Sequence, residues 1–350
     1  MELIYIDIII VNNFEEWEEF EPCLESVIEH KHASSQITVV DNSDQKRVSS
    51  RIQTVYPQVK TITCANNGFG AGNNIAALHS KADFLVFLNP DTIVSPQWDI
   101  SLVEFLQKNP EAGLATSKIL VKGDPAKINA FGNMIHITGI TQCNDLFEPS
   151  HNDHREIEQV LAISGASFAI RRELFQELNG FNEGYFLYLE DTDLSIRALL
   201  LGWKIYAIPD SIVYHDYHVA FRKNKIYHLE RNRLILMLST FKRVTLILLI
   251  PAMILMEIIT WGFILINFPR LYREKIDAYL WINNNRDVIL KNKKENQRTR
   301  TINDRDLIKK MGVSLDFTKY SNILVAIISH LVFTPLFFVL KLVLLLVVWW

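Results

Sequence analysis

Short β-rich apolar runs alternate with helical stretches through residues 1–94, and this alternation constrains the fold more tightly than any other feature of the chain. Tyr5–Val11, Gln36–Val40, Lys60–Cys64 and Phe84–Leu88 read as strands, and Glu15–Glu29, Lys46–Val55 and Asn73–Ser80 read as helices. The order predicts βαβ units, hence an α/β fold with a mainly parallel sheet and helices on both faces. Ligands of such sheets gather at the carboxyl ends of the strands. Four polar places occupy those ends here: Asn12, Asp41, the loop Asn66–Asn74, and Asn89–Thr92.

Charge and composition narrow the function. Thirty-six Lys+Arg against 39 Asp+Glu leave a formal charge of -3, too balanced for a chain whose main partner is nucleic acid. A hydrophobic share of 49% is enough to bury a large core. The three cysteines, Cys23, Cys64 and Cys143, are too few and too widely spaced for a disulfide framework or a zinc module, and fit a reducing compartment. Ile4–Val11 carries Asp7 and lacks the basic start and apolar length of a signal peptide.

Each strand end admits two readings. Asp41 follows an apolar strand, where a carboxylate accepts the imide N–H of a uracil or thymine ring or simply caps a turn. The glycines of Asn67-Gly68-Phe69-Gly70-Ala71-Gly72-Asn73-Asn74 open a helix whose amides can face an anion, but their spacing is not that of a dinucleotide fingerprint, and a plain turn is the alternative. Asn89-Pro90-Asp91 ends a buried strand in a carboxylate, which suits Mg²⁺ together with substrate phosphate oxygens or, equally, a Pro-Asp turn.

Taken in order, these sites closely resemble the inverting family-2 glycosyltransferases of GT-A fold, in particular the rhamnosyltransferase-like branch that builds bacterial surface polysaccharides. The resemblance runs from about Ile6 to Asn232. It implies that Asp41 contacts the nucleotide base, that Asn67, Gly68, Asn73 and Asn74 pack under the nucleotide, and that Asn89-Pro90-Asp91 stands for the metal-binding Asp-x-Asp motif. Asn89 replaces the first acid, which leaves the site one charge short and Asp91 as the implied ligand of a divalent cation, Mg²⁺ or Mn²⁺. Asn12, Gly165 and Ala166 complete the expected nucleotide-sugar site.

Further along, Ser164–Arg172 reads as a strand followed by a helix start, and Glu190-Asp191-Thr192-Asp193 opens the helix that continues through Ser195–Leu201. A helix dipole favours one or two acids in its first turn, and three exceed that need. Inverting transfer requires a carboxylate that takes the acceptor hydroxyl's proton. The resemblance assigns this base to Asp191, with Glu190 and Asp193 as shaping or acceptor-binding neighbours, and it makes His215 a further metal ligand. His218 lies close enough in sequence to be confused with His215. Gly202–Pro209 reads as a strand with Val213-Tyr214-His215 following it. Arg222, Lys223, Lys225, Arg231 and Arg233 read either as a diphosphate clamp, in which Arg231 matches a family position, or as an ordinary solvated or membrane-facing helix.

Two apolar runs follow. Val244–Phe268 is broken by Pro251 and Glu257, and Ile323–Trp350 by Pro335 and Lys341; each exceeds the ~20 residues that cross a bilayer. Between them Pro269–Tyr320 holds 13 basic and seven acidic residues, a bias that keeps a connection cytoplasmic. A cytosolic nucleotide sugar places the catalytic domain on the same side. The first run is therefore expected to lie in plane or re-enter, and the last to be the transmembrane anchor.

The expectation is a GT-A catalytic domain over residues 1–235 and a membrane-associated helical region over 236–350, comprising 244–268, the basic connection 269–320 and the anchor 323–350. Such a protein is an inverting, metal-dependent transferase that moves rhamnose or a hexose from a dTDP- or UDP-sugar to a lipid-linked glycan at the cytoplasmic face of the inner membrane. Its partners are then the nucleotide-diphosphate sugar, the lipid-linked acceptor and membrane lipids. Processive polymer synthases carry a Gln-x-x-Arg-Trp motif that this sequence lacks. A non-catalytic membrane scaffold or nucleotide-sugar binding protein that retains the fold is the alternative, motivated by Asn89.

Overall fold

The computed structural model describes residues 4–14, 16–150, 156–217, 223–315 and 327–350. Glu15, His218, Arg222, Lys319 and residues 323–326 of the last apolar run lie outside the described residues, as does the side chain of Lys223. The chain divides into two compact units, residues 1–133, 143–198 and 203–218 in one, and 134–142, 199–202 and 219–350 in the other.

The strands are β1 Ile6–Asn12, β2 Ser35–Asp41, β3 Lys60–Thr63, β4 Phe84–Leu88, β5 Thr92–Val94, β6 Ala112–Val121, β7 Asp124–Phe131, β8 Asn133–Ile135, β9 Thr141–Cys143, β10 Glu158–Val160, β11 Ser167–Arg171 and β12 Lys204–His215. The helices of the first unit are α1 Trp17–His30, α2 Arg47–Val55, α3 Phe69–Leu78, α4 Trp98–Lys108, α5 Arg172–Glu177 and α6, which begins at Glu190 and runs to Leu200. Ten strands form one sheet in the order β10-β12-β6-β11-β4-β1-β2-β3, with β5 on β12 and β7 on β6. The pairings make β1, β2, β3, β4, β6 and β12 parallel to one another, with β11 inserted antiparallel between β4 and β6.

Alternation along the strands builds a core on each face. Ile8 and Ile10 of β1, with Val39 and Val86, pack against Phe20 and Leu24 of α1, Ile52 of α2 and Trp98 and Leu102 of α4. On the other face Phe87 lies 4.9 Å from Phe168, 5.2 Å from Phe175 and 5.4 Å from Phe181, centroid to centroid. Phe181 thereby anchors the loop that runs into α6.

Two local expectations need correction. α3 starts at Phe69 rather than Asn73, so most of the glycine-rich segment is helix and not loop. β12 continues through Pro209 to His215, because the register shift between Ile208 and Ile212 releases the proline from the ladder.

The second unit is helical: α7 Lys223–Thr240, α8 Arg243–Asn267, α9 Tyr272–Asn284, α10 Arg286–Thr299, α11 Asp304–Lys310 and α12 Thr334–Val347. At its centre Arg233 bridges Glu230 at 3.1 Å and Glu257 at 2.5 Å, while Lys275 reaches both acids at 2.9 Å. Arg233, read either in a diphosphate clamp or on a solvated or membrane-facing helix, is instead a buried member of this cluster. The helical segment of the last apolar run does not stand free: the Lys341 ammonium of α12 donates to the carbonyls of Lys309 and Met311 at the end of α11.

Candidate active site

The structure gathers the expected residues at the carboxyl end of the parallel strands, and it sorts them. Asp41 ends β2 fully buried, and its carboxylate accepts from Ser43 N–H and Oγ at 3.1 and 2.6 Å and from Ser49 N–H at 2.8 Å. It thus ties the start of α2, which is the capping reading. Asn12, in register with Asp41, folds its amide onto Phe14.

Gly68 has a role that its motif did not reveal. Its φ is +99°, and a Cβ there would stand 2.2 Å from the Phe186 carbonyl oxygen, the acceptor of the Phe69 N–H. No other residue lets the chain approach so closely in this conformation. Phe186, Tyr188 and Leu189 all have φ between 61° and 68°, strained values for side chains of this bulk, and they lead directly into Glu190 and Asp191. Asn74 latches the same loop, exchanging bonds with the Phe181 backbone at 2.8 and 2.9 Å and donating to Glu183 at 3.0 Å. Asn73 turns inward to the Phe69 carbonyl, and Asn67 lies exposed beside Gly68. The glycine-rich segment therefore seats the loop that carries the acids.

Asp91 and His215 are brought face to face. Asp91 Oδ1 lies 3.3 Å from His215 Nε2, yet this buried oxygen receives no hydrogen bond. His215 Nδ1 meets Asn129 Oδ1 at 2.8 Å. In the Nδ1–H tautomer, which donates to Asn129, Nε2 presents its lone pair toward the Asp91 carboxylate. Such a pair suits a hard divalent cation that takes its remaining oxygens from a diphosphate, and the Asn129 carbonyl orients the imidazole as an outer-sphere partner does. Asn129 lies on β7 in no recognisable motif; sequence spacing held no signal for it. Among the described residues no group of three or more His, Cys, Asp or Glu converges for a metal.

Asp191 Oδ2 accepts from Gly165 N–H at 2.8 Å, and Oδ1 from Thr192 N–H at 2.6 Å. A Cβ on Gly165 would stand 3.2 Å from Oδ2, so even a methyl group would press on the carboxylate. Glu190 is buried, with Oε2 unpartnered. Burial, then the neighbouring Asp191, pushes Glu190 up to about 8. Burial also raises Asp191, against the pull of the Gly165 and Thr192 N–H groups. Burial therefore works against a second negative charge on these adjacent carboxyls, which titrate as one unit.

Gly165 and Ala166 join the two centres. Gly165 N–H binds Asp191, and the next carbonyl, of Ala166, accepts from Asn89 N–H at 3.0 Å. The loop that presents Asp91 and the helix that presents Asp191 thus meet on adjacent residues. Asp193 departs from expectation: it is buried and paired with Arg197 at 2.7 Å, so the third acid stabilises α6 and is closed to an acceptor. Arg231 belongs to the second unit, where its guanidinium lies over the rings of Tyr227 at 5.3 Å and Trp281 at 4.9 Å.

The sheet order and the paired acids at its carboxyl edge define a GT-A-type glycosyltransferase fold. Comparison with a crystal structure of GalNAc-T7 with UDP, GalNAc and Mn²⁺ agrees, with a TM-score of 0.55 at 18% identity over 69% of this chain and 49% of that one. Residues 8–178 match Glycosyl transferase family 2, and the chain resembles family-2 glycosyltransferases of the rhamnosyltransferase-like kind. It is 26% identical over 225 residues to rhamnosyltransferase WbbL of Escherichia coli K12, covering 59% of this chain and 82% of WbbL. It is also 26% identical over 204 residues to the N-acetylglucosaminyl-diphospho-decaprenol L-rhamnosyltransferase of Mycobacterium tuberculosis H37Rv, covering 51% of this chain and 66% of that protein.

Proposed function

We propose that the chain transfers a single sugar, rhamnose or a hexose, from a dTDP- or UDP-sugar to a lipid-linked glycan with inversion at the anomeric carbon. The catalytic domain, expected over residues 1–235, corresponds to the unit that ends at residue 218, before α7, and works at the cytoplasmic face of the inner membrane, where the helical unit attaches the chain. The observation that supports the reading is the junction at Gly165-Ala166, where the Asp191 carboxylate and the loop that carries Asp91 bond to adjacent residues.

Asp91 and His215 would hold a divalent cation, which would supply positive charge to stabilise a departing nucleotide diphosphate. Asp191 receives the acceptor hydroxyl's proton. Its two N–H donors fix the carboxylate's direction, and burial raises the pKa of Glu190 beside it to about 8. General-base catalysis contributes about 10²–10⁴-fold, and the larger share comes from holding donor and acceptor in line. The pyrimidine is read at the strand end formed by Asn12 and Asp41, where either base offers the same imide N–H; with its carboxylate engaged, Asp41 acts chiefly through the turn it shapes.

The test is a screen of nucleotide sugars for hydrolysis by the detergent-purified full chain, with and without Mn²⁺. Cation-dependent release of dTDP or UDP from one donor is the expected result. A chain that binds no nucleotide in calorimetry with either cation present is not a transferase, and the scaffold reading takes its place.

A further inference from the structure

α8 and α12 expose more apolar surface than they bury. On α8 the buried positions Thr245, Leu249, Ala252, Met256 and Ile259 recur at intervals of four and three, a single seam. Opposite it Val244, Ile247, Ile254 and Ile258 are 54%, 63%, 56% and 64% exposed. α12 buries only Phe337 and Leu344 and leaves Leu336, Val339, Val343 and Leu346 open. The stretches Arg243–Asn267 and Ser329–Val347, the second of which contains α12, have mean hydropathies of 2.2 and 2.4, and by length and composition either could cross a bilayer.

Their polar neighbours argue against crossing. The Lys242 N–H and the Thr245 hydroxyl, at the start of α8, both donate to Asp304 of α11. Near its other end Glu257 takes Arg233 and Lys275, and Trp261 donates to Tyr279 of α9 at 3.1 Å. Polar contacts from α7, α9 and α11 therefore accompany about 28 Å of the helix axis, close to the whole hydrocarbon thickness of ~30 Å. A crossing would carry these ionised helices into lipid with it, which the bilayer opposes strongly. α12 is held likewise. Lys341, midway along it, sits on the end of α11 beside the exposed Lys309 and Lys310, and the Trp350 indole N–H donates to Thr245 at 2.9 Å.

We propose that α8 and α12 form one apolar plate that sinks into a single leaflet of an anionic bilayer and lies in its plane, neither helix crossing. Charge favours this occupant. Lys242 and Arg243 at one end of α8, Arg270 and Arg273 beyond the other, and Lys309 and Lys310 beside α12 are all exposed, and a plate at acyl-chain depth brings them to the phosphates. In-plane attachment is thus extended to the last apolar run and replaces the expected transmembrane anchor. The proposal deepens the lipid-linked acceptor reading, on which it rests for its purpose but not for its test.

The experiment uses the full chain with vesicles of phosphatidylcholine alone or mixed with phosphatidylglycerol. Flotation should be about tenfold stronger on the anionic vesicles, and Ile254→Glu with Val343→Glu should weaken it by roughly tenfold while the thermal unfolding midpoint stays unchanged. In a Cys64→Ser/Cys143→Ser background, Cys23 being buried, Val244→Cys and Leu265→Cys should carry bimane labels quenched equally by shallow brominated lipid. Protection of one of these two positions from an impermeant thiol reagent until the vesicles are lysed overturns the plate in favour of a span. A lipid-independent dimer that Ile254→Glu dissociates, with no flotation, overturns it in favour of a second copy. Vesicle binding is read without donor or acceptor, so its failure leaves the transfer reading standing, and a bound but inactive chain defeats the transfer reading alone.

Discussion

Buried carboxylates occur in both units, and the two sets are treated in opposite ways. Glu230 of the helical unit is buried, which by itself would raise its pKa, but Arg233 and Lys275 more than offset this and hold it below the ordinary glutamate value. Glu190, at the edge of the sheet, is equally buried and has no cation; burial and Asp191 push it up to about 8. The same physical cost, removal of a charge from water, is cancelled in one place and left standing in the other. A compensated cluster holds helices together. The Glu190–Asp191 pair is held without that compensation, and Asp91 and His215 stand 3.3 Å apart nearby, a pair suited to a cation.

If that contrast is right, substitutions in the two regions should fail in different assays. Asp191→Asn should lower the transfer rate by about 10²–10⁴-fold with donor affinity nearly unchanged, measured by initial rates and by calorimetry; near-normal turnover would place the base elsewhere. Lys275→Met should act on stability instead. It strands Glu230 and Glu257 beside a single Arg233, and chemical unfolding should show a loss of ~3–5 kcal/mol; a change within error would show that the cluster is already hydrated.

Smaller effects probe the outer parts of each arrangement. Asn129→Leu removes the partner of His215 Nδ1 and should weaken Mn²⁺-dependent nucleotide binding by roughly tenfold without altering binding in chelator, a separation that a merely misfolded variant does not give. Glu190→Gln tests the uncompensated charge through pH. Because the folded-state pKa is raised to about 8, Glu190 contributes stability that is fully present below its ordinary value near 4.5 and lost as pH rises through 8. The wild type should therefore lose a few degrees of thermal midpoint between about pH 5 and about pH 9 that the glutamine variant retains. Identical pH profiles would mean that Glu190 is solvated.

Strand and helix order in residues 1–94 was legible in the sequence because most elements are specified by their own neighbours: short continuous apolar runs such as Ile8–Val11 and helical stretches such as Phe20–Val27 need no distant partner to be recognised. The placement of acids at strand ends was legible for the same reason. Their division of labour was not. Glu190, Asp191 and Asp193 lie within four residues, and only the packing of α6 shows that the third is turned to Arg197 while the second meets Gly165. Asp41 shows the same limit, since its engagement by Ser43 and Ser49 depends on how α2 docks.

By itself, then, the sequence determined the α/β class, the polar strand ends and the apolar character of Val244–Phe268 and Ile323–Trp350, all properties of local period and composition. The tertiary structure alone decided which buried charges are cancelled. It brought Asn129 to His215 and Gly68 under the strained loop before Glu190, and it lined α8 with ionised neighbours. The physical reason is that compensation of a charge or closure of a tight contact depends on groups far apart in the chain, and no local pattern encodes their distance.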